Sequence, residues 1–170
     1  MVATHRFQYL TFYCGRELFG LSVDAVKQII EPDEMTRIPG AASYIRGVIE
    51  VDDDVIPIVD LPMKVGAPVQ EQGVRRSCVV LAKVALDDAE ATIGLWVTEV
   101  REIVEVDVDD IRTAPHVHDV NTDRDCVSAL AHTDQGLLVL IDAGEILTMD
   151  EVLSSQQLSS VADVGSSASI

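Results

Sequence analysis

The chain carries the same twelve-residue pattern twice, and this repeat constrains the fold more than any other feature. Residues 20–31 read Gly-Leu-Ser-Val-Asp-Ala-Val-Lys-Gln-Ile-Ile-Glu, and residues 94–105 read Gly-Leu-Trp-Val-Thr-Glu-Val-Arg-Glu-Ile-Val-Glu. Six of the twelve positions are identical and three more are conservative, which is too many for chance composition. Residues 58–65 and 140–147 also resemble each other, in the same order along the chain. Each half is therefore expected to have the same succession of strands and turns.

The best-defined local element is a hairpin at residues 44–61. Two β-branched runs, residues 45–51 and 55–59, flank the aspartate triplet at residues 52–54. The short aspartate side chains accept local backbone hydrogen bonds and tolerate positive φ, which is typical of a hairpin turn. Pro57 cannot donate a ladder hydrogen bond, so we expect the second strand at a sheet edge or at a bulge.

Gly47 interrupts the first strand of this hairpin, which otherwise consists of bulky residues. A glycine inside a strand indicates either a sharp bend at a barrel corner or a surface where another chain's backbone comes close. The sequence leaves both interpretations open.

Short apolar and aromatic runs separated by turn residues predict the other strands. These are expected at residues 7–14, 19–23, 77–86, 91–97, 100–106, 126–130 and 136–141. The apolar positions after Ser22 fit one helical turn that leads into a strand, and the boundary between the two stays open. Residues 61–65 fit one helical turn closed by Gly66. A short C-terminal helix is expected to begin at Asp142 or the next residue and to end near Leu153.

Small antiparallel sheets usually remove their exposed edges by curling into barrels, and each half holds about five short strands. We therefore predict a mainly β protein made of two similar five-stranded barrel subdomains packed together. The subdomains are expected at approximately residues 15–70 and 75–150 of a domain at residues 6–152, with strand exchange between them as an open alternative. Residues 107–125 are expected to be irregular, and residues 154–170 to be a flexible Ser-rich tail.

Composition and charge oppose several classes of function. The chain has 170 residues, 48% hydrophobic content and a formal net charge of −17. The hydrophobic content suits one well-buried domain. The negative charge opposes binding to nucleic acid or to an anionic membrane. No apolar run approaches the ~20 residues that span a bilayer, and no secretory signal is visible, so we expect a cytoplasmic protein without direct membrane insertion. Cys14, Cys78 and Cys126 are odd in number and widely spaced, which favours buried reduced thiols.

The sequence lacks the spacings that mark catalytic and metal sites. It contains no Gly-x-Ser-x-Gly, Walker, His-Glu-x-x-His or Cys-x-x-Cys pattern. The best metal candidate is His116, His118 and Asp119 with Cys126 nearby, but a solvated loop explains these residues better. The aspartate triplet lacks the glycine and the distal glutamate of a calcium loop. We therefore predict that the chain is not an enzyme and has no catalytic, cofactor-binding or metal-binding residues.

Two matching apolar strips remain. They consist of Val23, Val26 and Ile29 in the first half and of Val97, Val100 and Ile103 in the second. The strips could pack into the core, or they could form an exposed groove for a helix or strand of a partner.

Short motifs follow one another in a fixed order along most of the chain. In the first half they are Gln-Tyr-Leu-Thr-Phe (8–12), Phe-Gly-Leu-Ser-Val-Asp-Ala-Val (19–26), Arg-Ile-Pro-Gly (37–40), Ile-Arg-Gly-Val (45–48) and Val-Ile-Pro-Ile-Val-Asp-Leu (55–61). In the second half they are Ile-Gly-Leu-Trp-Val-Thr-Glu-Val (93–100), Ile-Arg-Thr-Ala-Pro (111–115) and Leu-Val-Leu-Ile-Asp (138–142). With these motifs in order, the chain resembles the CheW-like chemotaxis coupling proteins from about Arg6 to Val152.

The resemblance implies two five-stranded SH3-like barrels and a non-catalytic adaptor. Such an adaptor links the cytoplasmic tips of methyl-accepting chemoreceptors to a CheA-type histidine kinase. It implies receptor contacts around Val26, Gly47 and the turn after Val51, with kinase contacts on exposed barrel ends. Together with the apolar strips, the expected partner-binding residues are Val23, Val26, Gly47, Asp52, Asp53 and Val100.

One departure from the family pattern bears on partner choice. Where the family usually has Arg-Gly in the hairpin turn, this chain has Asp52 and Asp53, and it has Pro62 where the family often has a basic residue. An aspartate cannot replace the planar, bidentate hydrogen bonding of an arginine. An altered partner, or a type IV pilus or other non-flagellar pathway, is therefore an alternative to ordinary receptor coupling. A metal- or small-ligand-binding regulator and an enzyme are the other function classes considered.

Overall fold

The computed structural model describes residues 5–31, 35–67, 77–85, 89–113 and 126–147. These residues form eleven strands, one α-helix and three short 3-10 turns. The strands are β1 (Arg6–Cys14), β2 (Glu17–Ser22), β3 (Val26–Ile30), β4 (Ile45–Val51), β5 (Asp54–Asp60), β6 (Cys78–Ala85), β7 (Glu90–Val97), β8 (Glu99–Asp107), β9 (Ile111–Thr113), β10 (Val127–Thr133) and β11 (Gly136–Ile141). The helix is α1 (Leu61–Val65), and the 3-10 turns are Val23–Ala25, Val108–Asp110 and Ala143–Glu145.

The strands assemble into two sheets with the same internal order. The six-stranded sheet has the order β8-β1-β2-β11-β10-β9, and the five-stranded sheet has the order β3-β6-β7-β5-β4. Strands that correspond in the sequence repeat, such as β3 and β8, occupy corresponding places in the two sheets. Thr36 bridges to Val48 of β4 and so takes the place that β9 has beside β10. The mainly β architecture and the repeated strand program predicted from the sequence are confirmed.

The two halves of the chain exchange hairpins. The β1–β2 hairpin of the first half lies in the sheet of β8 to β11, and the β6–β7 hairpin of the second half lies in the sheet of β3 to β5. The exchanged strands are joined by two parallel pairings, in which Gly20 lies opposite Leu140 and Gly94 opposite Ile58. A chain division near residues 70–75 therefore does not divide the sheets, because β6 and β7 complete the sheet of the first half.

The repeated glycine occupies the same position in each parallel pairing. A Cβ added at Gly20 would lie 3.1 Å from side-chain atoms of Leu138 and Leu140, and one added at Gly94 would overlap the Ile58 side chain. A larger residue at either position would force these neighbouring side chains to shift. The glycines thus leave room for the side chains that pack over the parallel pairings.

Buried apolar residues form a central core and two smaller ones. The central core takes residues from both sheets and includes the stacked rings of Phe12 and Phe19, whose centroids are 6.4 Å apart. The smaller cores contain Ile56, Ile58, Val79, Leu81 and Trp96 in one sheet and Val106, Ala131, Leu138 and Leu140 in the other. Successive residues of a strand face different cores, as with Ile58 and Val59. Both faces of the central strands are therefore buried, which explains their continuous apolar runs.

Several local predictions are confirmed. The segment after Ser22 is the 3-10 turn Val23–Ala25 followed by β3. Helix α1 ends at Gly66, whose φ of 72° is left-handed, and Gly66 donates its N–H to the Met63 carbonyl. The predicted C-terminal helix is not confirmed: Ala143–Glu145 form a 3-10 turn that residues 146–147 do not continue, and residues 148–153 and the Ser-rich tail lie outside the described residues.

Two expectations are wrong. Residues 107–125 are not irregular throughout, because the 3-10 turn Val108–Asp110 and β9 occupy their first part. Pro57 is neither on an edge strand nor at a bulge, since β5 lies between β7 and β4 and Pro57 pairs in regular register with Val48. Proline is tolerated there because the parallel pairing with β7 begins only at Ile58, one residue later.

Candidate partner-binding surface

The hairpin turn holds two predicted contact residues at an exposed tip. Val51 pairs with Asp54, so Asp52 and Asp53 alone form the turn, and both are exposed. Their φ angles are 50° and 69°, as a two-residue turn with positive φ at both positions requires. Both residues lie beside Asp54 at the start of β5, which is also exposed. The structure thus presents an exposed, negatively charged tip.

Gly47, another predicted contact residue, is buried beneath the chain's own backbone. Its φ is 154°, and a Cβ added there would lie 2.5 Å from the carbonyl oxygen of Thr36. Thr36 and Val48 exchange two backbone hydrogen bonds of 2.9 Å, which hold this contact. Of the two interpretations that the sequence left open, the structure shows a close backbone approach, and it is made by the segment around Thr36 of the same chain rather than by another chain.

The apolar strips are split between core and surface. Val97 is fully buried, and Val26 and Val100 are partly buried and pack against the central core. Ile29 and Ile103, further along β3 and β8, are 43% and 56% exposed. Val23 is half-buried in the 3-10 turn before β3. Only the parts of the strips on β3 and β8 thus lie at corresponding edges of different sheets, each with an exposed isoleucine at its outer end.

A cluster of Arg46, Asp60 and Trp96 lies beside Gly47, and the sequence did not single it out as a site. Ile45 pairs with Val59 and Gly47 with Ile58, so Arg46 is the extra residue of a β-bulge in β4. A bulge redirects its side chain relative to the regular strand. Here the Arg46 guanidinium carbon lies 3.8 Å from the centroid of the Trp96 ring, two strands away on β7.

Asp60 fixes this cluster to the start of helix α1. Arg46 Nε donates to Asp60 Oδ2 at 3.0 Å, and the Met63 N–H donates to Asp60 Oδ1 at 3.1 Å. Asp60 is 3% exposed, whereas the Arg46 side chain is 38% exposed. The only hint in the sequence was the Arg-Gly pair in an apolar strand. Sequence reasoning missed the cluster because the bulge that directs the arginine side chain depends on pairing with β5.

An open groove of about 560 Å³ adjoins the cluster. Its lining includes Met35, Arg37, Ile38, Ile45, Arg46 and Met63. Arg37 is exposed and has no ion pair among the residues that the structure describes. The groove therefore combines two guanidinium groups with apolar side chains.

The cysteines are reduced, and the pKa of two of them is raised. Burial raises the pKa of the Cys14 thiol well above its usual value, and the Asp60 carboxylate adds to the effect. Burial also raises the pKa of Cys78, with a further contribution from Glu31. A raised thiol pKa disfavours the nucleophilic thiolate. These positions therefore suit packing rather than chemistry.

The described ranges contain no group of three His, Cys, Asp or Glu side chains that could hold a metal ion. His116, His118 and Asp119 of the candidate metal cluster lie outside those ranges. Within the same ranges, no helix has the length and apolar character needed to cross a membrane.

Comparison with known proteins gives one consistent family. A family model described as a CheW-like domain matches residues 8–151. The chain is 26% identical over 147 residues to the chemotaxis protein CheW of Klebsiella aerogenes, covering 85% of this chain and 84% of the relative. It is 27% identical over 146 residues to the chemotaxis protein CheW of Bacillus subtilis, covering 86% of this chain and 90% of the relative.

A solved structure has the same fold. The crystal structure of the scaffolding protein TtCheW from Thermoanaerobacter tengcongensis superposes with a TM-score of 0.75 and 22% sequence identity. The match covers 86% of this chain and 96% of the solved chain.

Proposed function

The chain belongs to the CheW-like family of non-catalytic scaffold adaptors, and we propose that it couples methyl-accepting chemoreceptors to a CheA-type histidine kinase in a bacterial chemosensory array. The observation that carries the proposal is the family match over residues 8–151, together with two sheets in which corresponding strands stand in the same order. The array is expected to assemble in the cytoplasm, where receptor tips and kinase meet.

Two features of the described surface support a role in binding proteins. The edge strands β3 and β8 expose Ile29 and Ile103 beside charged residues, and strand edges can pair with or pack against another chain. The buried cores on both faces of the central strands keep these edges in a fixed relation. An adaptor that holds two partners needs such a fixed arrangement, because movement between its surfaces would loosen the assembly.

The acidic hairpin tip supports a partner preference that differs from the usual one. Asp52 and Asp53 stand where the family usually has Arg-Gly, so a partner surface that meets an arginine would face two carboxylates instead. Like charges across an interface suppress binding to the wrong partner. The native partner is therefore expected to carry lysine or arginine opposite this tip. This feature also favours the second candidate, an adaptor of a type IV pilus or other non-flagellar chemosensory pathway.

Reconstitution tests the coupling. The purified chain is mixed with the CheA-type kinase and a receptor cytoplasmic fragment from the same genome, and kinase autophosphorylation and co-sedimentation are measured. We expect the chain to bind the kinase and to make its activity depend on the receptor. If the chain binds neither protein, or if receptor control of the kinase is the same without it, the proposed coupling is wrong.

The turn is tested with two double variants. Asp52-Asp53→Arg-Gly restores the family pattern, and Asp52-Asp53→Asn-Gly removes the charge while keeping a favourable turn. Affinities for a typical kinase regulatory domain, a typical receptor tip and the cognate partners are measured at about 50 and about 300 mM NaCl. We expect the native chain to favour its cognate partner, more weakly at high salt, and the Arg-Gly variant to reverse that preference. Equal affinities of all three proteins across the panel would make the turn a bystander.

A further inference from the structure

We infer that the groove between the 35–46 segment and helix α1 binds a partner-protein segment in which a carboxylate side chain lies next to an apolar one. The inference deepens the proposed adaptor function and rests on it, because the occupant is a protein partner. The binding groups are the guanidinium groups of Arg37 and Arg46 and the apolar side chains beside them.

The first argument is that the Arg46 guanidinium is already ordered in the unbound chain. Its guanidinium is held over Trp96 at 3.8 Å and bound through Nε to Asp60 at 3.0 Å, so its plane is fixed before any ligand arrives. With Nε engaged by Asp60, the two terminal amino groups of Arg46 have no hydrogen-bond partner in the described part of the chain. A guanidinium already ordered by stacking loses little entropy when it binds a carboxylate.

The second argument is the local charge. The whole chain carries a net charge of −17, yet the charged groups that line this groove are two arginines and Asp60. Asp60 is buried, and its two oxygens already accept from Arg46 Nε and from the Met63 N–H. The exposed charge of the described lining is therefore positive. By contrast, a second groove of about 500 Å³ is lined by Arg6 with Glu102, Glu105, Asp107, Asp110 and Asp134.

The third argument is the apolar part of the lining. Met63 is 47% exposed on α1, and Met35 and Ile38 are half-buried on the facing segment. Methionine is flexible and polarizable, so it adapts to apolar groups of varied shape. A volume of about 560 Å³ accommodates a few side chains of a bound segment.

A peptide titration tests the inference without kinase or receptor. The probe is the capped peptide Ac-Ala-Leu-Glu-Leu-Ala-NH2, and its match is the same peptide with glutamine in place of glutamate. In two-dimensional NMR of the full chain, we expect the glutamate peptide to shift the Arg46 side-chain Nε–H and the backbone amides of Ile38 and Ala42. The glutamine peptide is expected to bind about tenfold more weakly.

Variants connect these shifts to the two arginines. Arg37→Glu removes an exposed guanidinium without an ion pair in the described chain, and Arg46→Lys keeps the charge but loses the planar fork. Each is expected to weaken binding of the glutamate peptide by about tenfold, while Arg6→Gln, in the other sheet, leaves it unchanged. The unchanged spectrum of Arg37→Glu away from the groove would show that the variant folds.

Three results would overturn the inference. These are equal shifts with the two peptides, shifts that map outside the groove, or stronger binding of inorganic phosphate than of the glutamate peptide at the same residues. The titration uses neither kinase nor receptor, so a negative titration contradicts the groove inference and not the coupling function. A negative reconstitution contradicts the coupling function and not the binding of the glutamate peptide in the groove.

Discussion

At the residue scale, two aspartates at the same place in the repeat have acquired different environments. Asp60 is buried, caps α1 through the Met63 N–H and binds Arg46. Asp142 is exposed and caps the Gly144 N–H at 2.9 Å. Both satisfy the first backbone donors of a helical turn, but only Asp60 also fixes a side chain from a neighbouring strand.

We expect Asp60→Ala to lower the free energy of unfolding by about 2–4 kcal/mol, because it removes a cap and the acceptor of a partly buried ion pair. Asp142→Ala removes only an exposed cap and is expected to cost about 1 kcal/mol. Urea unfolding followed by circular dichroism measures both. Equal losses for the two variants would mean that the Arg46 contact contributes nothing.

Alanine variants of two glycines with positive φ distinguish the cost of backbone strain from the cost of steric overlap. Gly47→Ala places a methyl group against the Thr36 carbonyl oxygen, whereas Gly40, with φ 81°, has no atom within 4 Å of an added Cβ. We expect Gly40→Ala to cost about 1 kcal/mol and Gly47→Ala at least about 2 kcal/mol more, since it also disrupts the bridge between Thr36 and Val48. Thermal melting of the two variants is the measurement. A Gly47→Ala variant as stable as Gly40→Ala would show that the Thr36 segment moves aside at little cost.

At the element scale, strand β3 has one end that packs against the central core and one end that is exposed. Val26 opposes Ala82 and contacts the central core, while Ile29 exposes 43% of its surface. The corresponding strand β8 shows the same gradient from Val100 to Ile103. A partner that binds this edge would therefore meet the exposed isoleucines first.

Lysine substitutions along β3 separate binding from folding. Ile29→Lys is expected to change the free energy of unfolding by no more than about 0.5 kcal/mol and to weaken kinase or receptor binding about tenfold. Val26→Lys is expected to weaken binding more than folding, and its contact with the core adds a stability cost of about 1–3 kcal/mol. Melting temperature and partner affinity are measured on the same samples. If Val26→Lys simply unfolds the protein, Val26 belongs to the core alone. If Ile29→Lys binds its partners normally, the interpretation of β3 as a partner-binding edge is wrong.

At the scale of the whole molecule, the exchange of hairpins makes the two halves depend on each other. The parallel pairings of β2 with β11 and of β7 with β5 join the halves in both sheets. The central core takes residues from β1, β2, β5, β6 and β7 together. Neither half can bury its apolar faces without the other.

We therefore expect fragments 1–72 and 73–170, cut between α1 and β6, to be unfolded when expressed alone. When mixed, they should assemble one to one and unfold in a single transition, because every sheet needs both. Amide NMR dispersion and size-exclusion chromatography are the measurements, with the intact chain as control. Dispersed spectra from either fragment alone would show that a half can form its own barrel, contrary to the hairpin exchange.

The sequence by itself determined the local elements and their repetition. Turn chemistry at Asp52-Asp53 and at Gly66, together with β-branched runs, predicts most strands because these signals act within a few residues. Three features depend on contacts between distant segments and were decided only in the tertiary structure. They are the exchange of hairpins between the halves, the position of Pro57 in an interior strand and the placement of Arg46 over Trp96. A repeat gives the same local pattern whether its strands pair within one half or across both, so the local signals do not distinguish the two arrangements, and the pairing across both halves is seen only in the assembled sheets.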